Sequence, residues 1–82
     1  MKHYIVVNDW AIGNVGERGV TIIVVTHSLE EAKKIFAEKV KDEIKIARDN
    51  GYEIYDDSET VFDAGESGFY DENHTKLYIE IV

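Results

Sequence analysis

The stretch THSLEEAKKIFAEKVKDEIKIARDNG (Thr26–Gly51) decides the fold. Ser28-Leu29-Glu30-Glu31 has the form of a capping box, in which the Ser28 hydroxyl accepts from the Glu31 amide and the Glu31 carboxylate reaches back to the Ser28 amide. A helix therefore starts here. Leu29, Ala32, Phe36, Val40, Ile44 and Ala47 recur at steps of three or four, which lines one helical face, while Lys33, Lys34, Glu38, Lys41, Asp42 and Lys45 fall largely on other faces. Acids early and bases late suit the helix dipole, and Asn50-Gly51 supplies a residue able to take positive φ just past the end. From Leu29 to Asp49 the spacing predicts roughly 30 Å of helix, enough to cross a small sheet.

Before this helix, HYIVV (His3–Val7) and VTIIVVTH (Val20–His27) are rich in β-branched and aromatic residues and read as strands. NDWAIGNVGERG connects them, with a turn around Gly13 to Gly16 that makes an antiparallel hairpin. After the helix, TVFDA (Thr60–Ala64) and LYIEIV (Leu77–Val82) are the best strand candidates, and YEIY (Tyr52–Tyr55) is a weaker one that extends the helix exit. Leu77, Ile79 and Ile81 alternate with Tyr78 and Glu80, which turns the three aliphatics toward the helix. The expected fold is α+β: ββαββ, one long helix packed on an antiparallel or mixed sheet of about four strands.

With 82 residues, the chain is expected to form a single domain spanning residues 1–82, with a thin core and no deep cleft. A hydrophobic share of 44%, with five Tyr, three Phe and one Trp, is too apolar for a disordered acidic tail. There is no Cys, so disulfides and thiolate metal sites are excluded and a reducing compartment suits the chain. The longest apolar run is far too short to cross a bilayer and MKHYIVVND lacks the apolar core of a signal peptide, so the expected protein is soluble and intracellular, with no membrane partner.

The formal net charge is −8, which opposes direct binding to nucleic acid. Between Arg48 and Lys76 stand nine acids and no Lys or Arg, so the whole excess belongs to EIYDDSETVFDAGESGFYDENH (Glu53–His74) and the residues just before it. Glu53, Asp56, Asp57, Glu59, Asp63, Glu66, Asp71 and Glu72 can form a display of negative charge that a nucleic-acid-holding surface accepts as a decoy, because Arg pairs with carboxylate as it does with phosphate. Tyr55 and Tyr70, among the interleaved aromatics, are the expected anchors of such an interface. The competing reading is a solvated acidic loop with its aromatics turned into the core.

Other patterns carry less. Asp56, Asp57, Glu59 and Asp63 are the right ligand type for Ca²⁺, but neither frame has the Gly that an EF-hand loop requires, so no metal or cofactor is expected. GNVGERG leads into a strand and lacks the Lys-Ser/Thr pair of a phosphate loop. His27 beside Ser28 comes without an orienting group or an oxyanion site, and His3 and His74 stand apart from any zinc-like spacing, so no catalytic residue is assigned and the protein is not expected to be an enzyme. Trp10 is expected in the core, and Tyr4 and Tyr78 on the exposed sheet face.

The layout of VTIIVVTHSLEEAKKIF followed by an acidic, aromatic-rich half ending in LYIEIV resembles small proteins of phages and mobile elements, among them the anti-CRISPR inhibitors of Cas9. The resemblance implies a non-enzymatic inhibitor, located in the cytoplasm of a bacterial host cell, that binds a basic nucleic-acid-handling protein, such as a Cas9-type nuclease, as an acidic DNA mimic in the groove where arginines read guanine edges. The alternative is a small structural or regulatory module that self-associates, as a homodimer for instance, through its sheet face or an edge strand.

Overall fold

In a computed structural model, which describes residues 2–82, the chain runs β1 (Tyr4–Ile12), β2 (Glu17–Thr26), α1 (Leu29–Asp49), β3 (Glu53–Asp57), β4 (Val61–Gly65) and β5 (Asn73–Ile81), with a single 3-10 turn at Gly13–Val15. The described residues make a five-stranded sheet in the order β2-β1-β5-β4-β3, antiparallel at every pairing, with α1 across one face.

The α+β class and the one long helix are as the pattern predicts, but the expected ββαββ with about four strands is corrected to ββαβββ with five. The extra strand is β3, which forms at the weaker candidate YEIY and runs on to Asp57. Its five residues are all exposed, so it carries no alternation of apolar and polar positions by which a strand is read. It is held instead by backbone pairing to β4, through Glu53↔Gly65, Ile54↔Ala64, Asp56↔Asp63 and Asp57↔Phe62, with a bulge at Tyr55. β1 also runs on to Ile12 through Asn8, Asp9 and Trp10, because it is flanked on both sides by β2 and β5 and pairing overrides weak propensity.

The helix boundaries rest on local bonds. The Ser28 hydroxyl accepts from the Glu31 amide at 3.2 Å, as the capping box requires. The Glu31 carboxylate, however, accepts from the Thr26 hydroxyl at 2.9 Å, and Thr26 Oγ1 in turn accepts from the Ser28 amide at 3.1 Å. The reciprocal half of the box is therefore relayed through Thr26. At the other end, Gly51 adopts φ +70, Tyr52 N donates to Ala47 O at 2.8 Å and Gly51 N to Arg48 O at 3.2 Å, the paired closure of a Schellman motif. That turn reverses the chain into β3.

The core lies between α1 and the middle strands: Val6, Ala32, Phe36, Val40, Ala47, Phe62, Ala64 and Leu77 form one buried cluster, with Tyr4, Ile23, Val24, Ile44, Tyr52 and Ile79 packed around it. Three alanines in that cluster let the helix approach the sheet closely around Phe36 and Phe62. Of the aliphatics predicted to face the helix, Leu77 is fully buried and Ile79 packs on the cluster, but Ile81, at the strand end, is exposed. Tyr4, expected on the open face, packs instead on the core. Trp10 is half-buried outside the cluster, over Gly19, with its indole N–H donating to Thr21 Oγ1 at 3.1 Å.

So small a core makes each large side chain count. An 82-residue chain has a total stability of about 4–12 kcal/mol, and emptying a fully buried Phe site costs about 3–5 kcal/mol. Phe62→Ala is expected to lower the urea midpoint by about a quarter or more of the wild-type value, whereas Tyr55→Ala on the exposed strand moves it only marginally.

Candidate functional site

Register decides which side of the sheet each acidic residue occupies, because directly paired residues of antiparallel strands share a face. Phe62 and Leu77 are paired and point into the core, so Asp63 and Lys76, paired one position along, point to the face that α1 leaves open. Asp56 pairs with Asp63 and Glu53 with Gly65, which puts Glu53, Asp56 and Asp63 together on the open face. Asp57 pairs with the buried Phe62 and belongs to the helix side, where with Ser58 and Glu59 it borders a cleft of about 420 Å³ against Lys33, Phe36 and Val40. Glu59 forms an exposed ion pair with Lys33 at 3.4 Å.

The remaining acids lie in the loop between β4 and β5. Glu66 accepts from Asn73 Nδ2 at 2.7 Å, while Asn73 Oδ1 accepts from Gly13 N at 2.8 Å, so this carboxylate is engaged in tying the loop to the β1–β2 turn. Asp71 and Glu72 border a cleft at that same end with Gly13, Glu17 and Arg18, whose guanidinium donates to Asp71 O at 2.7 Å. The ten residues singled out in the sequence thus divide: Glu53, Asp56, Asp63, Tyr55 and Tyr70 meet on the open face, Asp57 and Glu59 lie on the helix side, and Glu66, Asp71 and Glu72 lie toward the hairpin end.

Tyr70 organises the open-face group. Its ring stacks on the His74 imidazole at 4.5 Å and 15°, its edge meets Tyr55 at 5.9 Å, and its hydroxyl donates to Asp63 Oδ1 at 2.7 Å. Gly65 makes room for this: a Cβ there would lie 2.6 Å from Tyr70 Cδ2 and 2.9 Å from Asn73 O. His74 Nδ1 faces the Tyr70 carbonyl at 2.9 Å and Nε2 faces Asp9 Oδ1 at 3.2 Å, two acceptors, so both bonds form at once only when both ring nitrogens carry protons. Burial, the bond to Asp63 and the charges of Asp63, Asp9 and Asp71 raise the Tyr70 phenol above its ordinary value near 10. Burial and, second, Glu66 raise Tyr52 in the same direction.

The open face is not uniformly acidic. Lys76 stands beside Asp63 with its ammonium 5.7 Å from the Tyr78 ring, and toward β2 the face turns apolar through Ile5, Val7, Ile22 and Val25.

Two groupings were missed in the sequence. The first is His74 with Asp9 and Tyr70, whose members lie up to 65 positions apart. The second is a buried polar chain on the helix side: Asn8 Nδ2 donates to Thr75 Oγ1 at 3.1 Å, Thr75 Oγ1 donates to Glu43 Oε2 at 2.8 Å, and Lys39 Nζ lies 3.7 Å from Glu43 Oε1. Glu43 is only 4% exposed and continues the series Phe36, Val40, Ala47 at helical spacing, so its place on the apolar stripe was legible. It borders a cleft of about 270 Å³ with Trp10, Tyr52 and Ile46. The rings of His3 and His27, far apart in the chain, approach to 4.3 Å. Among the described residues no three His, Asp or Glu side chains are placed to hold a metal ion, and no helix is long and apolar enough to cross a membrane.

No protein-family model, no curated protein and no solved structure matches this chain.

Two outcomes follow from this geometry. A Tyr whose folded-state pKa is raised contributes stability that is complete below pH 10 and is lost as pH rises toward the folded value. Chemical denaturation from pH 9 upward is therefore expected to show falling stability, and Tyr70→Phe to flatten part of the decline; an unchanged slope refutes the role given to the Tyr70–Asp63 bond. Glu43→Ala leaves the Thr75 hydroxyl without its acceptor and is expected to cost about 2–3 kcal/mol in the same assay at neutral pH.

Proposed function

We propose that this protein is a non-enzymatic inhibitor that binds a basic, nucleic-acid-handling protein through the β3–β4 half of its open sheet face. The observation that carries the reading is the direct pairing of Asp56 with Asp63, beside Glu53, on a face that no helix or second sheet covers among the described residues. Like charges placed opposite each other on neighbouring strands repel and cost stability in the free protein. A guanidinium from a partner bridges such a pair, so the repulsion is relieved on binding.

The support is also mechanical. Carboxylates on paired strands are held at fixed spacing, about 6.6 Å between same-face neighbours along a strand and about 4.8 Å between strands, so little order remains to be imposed when a partner docks. Tyr55, 48% exposed and braced by Tyr70, is a rigid anchor at the centre of the charged half. A Cas9-type nuclease offers the complementary surface: a groove with arginines that read guanine edges and lysines along the backbone path. Inhibition is by occupancy, and charge steering hastens the encounter at low salt. Asp57, Glu59, Asp71 and Glu72, on the flanks, extend the negative field without sharing the central contact.

The test is competition against duplex DNA for a Cas9-type nuclease, read at low and high salt. The double reversal Asp56→Lys/Asp63→Lys, with its fold checked by circular dichroism, is expected to abolish competition, and wild-type affinity to fall steeply with salt. Asp56→Asn is expected to weaken binding while raising the stability of the free protein by about 0.2–1 kcal/mol, since it removes the opposed charge. Binding that ignores both salt and the reversal refutes the proposal.

A further inference from the structure

The sheet has two edges, and they are built differently. β3 is five residues long, bulged at Tyr55, and carries Glu53, Asp56 and Asp57, all features that discourage a foreign strand from pairing. β2, at the opposite edge, is ten residues long, and from Gly19 to Thr26 it has neither a charge nor a Pro. It too is bulged, with Ile23 the extra residue between Ile22 and Val24, but unlike β3 it carries no charge there. Among the described residues no strand pairs with its outer side.

The side chains of the same strand are also left open. Val20, Ile22 and Val25, register partners of Asp9, Val7 and Ile5, stand on the open face at 64%, 61% and 53% exposure. An uncharged edge strand with three exposed aliphatics is a pairing surface.

The charge distribution identifies what it pairs with. The excess of −8 is concentrated after Arg48, so contacts through that half would bring carboxylates against carboxylates, whereas Gly19–Thr26 carries no charge to oppose a second copy. A basic partner would find nothing there to neutralise. A β-strand is complementary to an antiparallel copy of itself, and such a contact closes on a twofold axis.

We propose that two copies join β2 to β2, antiparallel about a twofold axis, to make one continuous sheet with five strands from each copy. Residues on the same face must meet, and a register with Val20 of one copy beside Val25 of the other and Thr21 beside Val24 does this on either side of the bulge at Ile23, which then lies at the twofold axis. The exposed aliphatics then form one patch across the seam. The carboxylates of β3 and β4 lie at the two far ends, so the surface proposed for the basic partner stays free in the dimer, and the two proposals can fail separately.

Sedimentation equilibrium of the full chain is expected to give a concentration-dependent species of twice 9.4 kDa. Added salt is expected to strengthen this association, because screening weakens the repulsion between two acidic chains; binding to a basic partner through the carboxylates responds in the opposite direction. Ile22 is exposed, so Ile22→Lys should fold normally and weaken association by about tenfold or more, since a lysine on an edge strand blocks pairing. Asp56→Lys should leave the dimer intact. The chain has no native Cys, so Ile22→Cys should cross-link on oxidation while Ile54→Cys on β3 should not. Hydrogen exchange should show the β2 amides that point away from β1 slowed in the dimer and released in Ile22→Lys. A monomer at every concentration overturns the proposal. So does a dimer whose outward β2 amides exchange freely, since that copy-to-copy contact would be face to face, and so does a dimer indifferent to Ile22→Lys.

Discussion

One helix can cover only one face of a sheet, and the rest of this molecule follows from that limit. An α-helix with its side chains is about 10–12 Å across, whereas five strands at about 4.8 Å spacing span roughly twice that width. α1 therefore seals the centre of its own side, over Val6, Phe62 and Leu77, and leaves the corners thin: Ile12, Ile54 and Ile81 are all substantially exposed. On the other side no helix among the described residues seals the sheet: Val7 and Ala11 are buried by neighbouring side chains and Tyr70 lies over His74, but Val20, Ile22 and Val25 stay exposed.

Strand register then sorts that open face into two halves of different chemistry. The β3–β4 half collects Glu53, Asp56 and Asp63, while the β1–β2 half collects Ile5, Val7, Val20, Ile22 and Val25. Tyr70, Tyr78, His74 and Lys76 lie between them, and the stacked Tyr70 ring fixes Asp63 while the His74 ring reaches back to Asp9. Because side chains alternate with a period of two, a shift of one residue in either β3 or β4 would carry Asp56 or Asp63 to the helix side. The Gly65–Tyr70 contact, which tolerates no Cβ, and the Glu66–Asn73–Gly13 bonds lock the loop that sets the β4–β5 register.

The parts of this architecture that were legible in the sequence are those encoded by local signals. Ser28 with Glu31, the stripe from Ala32 to Ala47, and Gly51 place the helix to the residue. The turn at Gly13–Gly16 places the first hairpin. β3 was legible only as the weaker strand candidate YEIY, because an exposed edge has no burial pattern to write into its residues, and its extent comes from pairing with β4. The acidic excess of the second half was equally plain as composition. Its division among the open face, the helix side and the hairpin end was not, because a one-residue difference in position, as between Asp56 and Asp57, sends neighbouring carboxylates to opposite faces. Glu43 shows the converse: a polar residue at an apolar position of the helix reads as an exception, and only Thr75 and Asn8, brought in from other strands, explain how it is satisfied.

Both ends of the sheet depart from what stability alone would select, and they do so in opposite ways. Opposed carboxylates at Asp56 and Asp63 are a local repulsion, tolerated because each contributes to a field that extends into solvent. Bare aliphatics on the β2 edge are a local aggregation hazard, tolerated if pairing there closes on a twofold axis instead of propagating. A heterologous contact through β2 would have to meet the charged, bulged β3 of the next molecule, and that edge resists pairing, so open-ended stacking of sheets is blocked by the same carboxylates that make the other half acidic. In the closed arrangement the acidic halves end up about eight strand spacings apart, on the order of 40 Å, far beyond the screening length at physiological salt. Each can therefore engage a basic surface without feeling the other, and a partner presenting two such surfaces at that span would be held more tightly than one presenting a single surface.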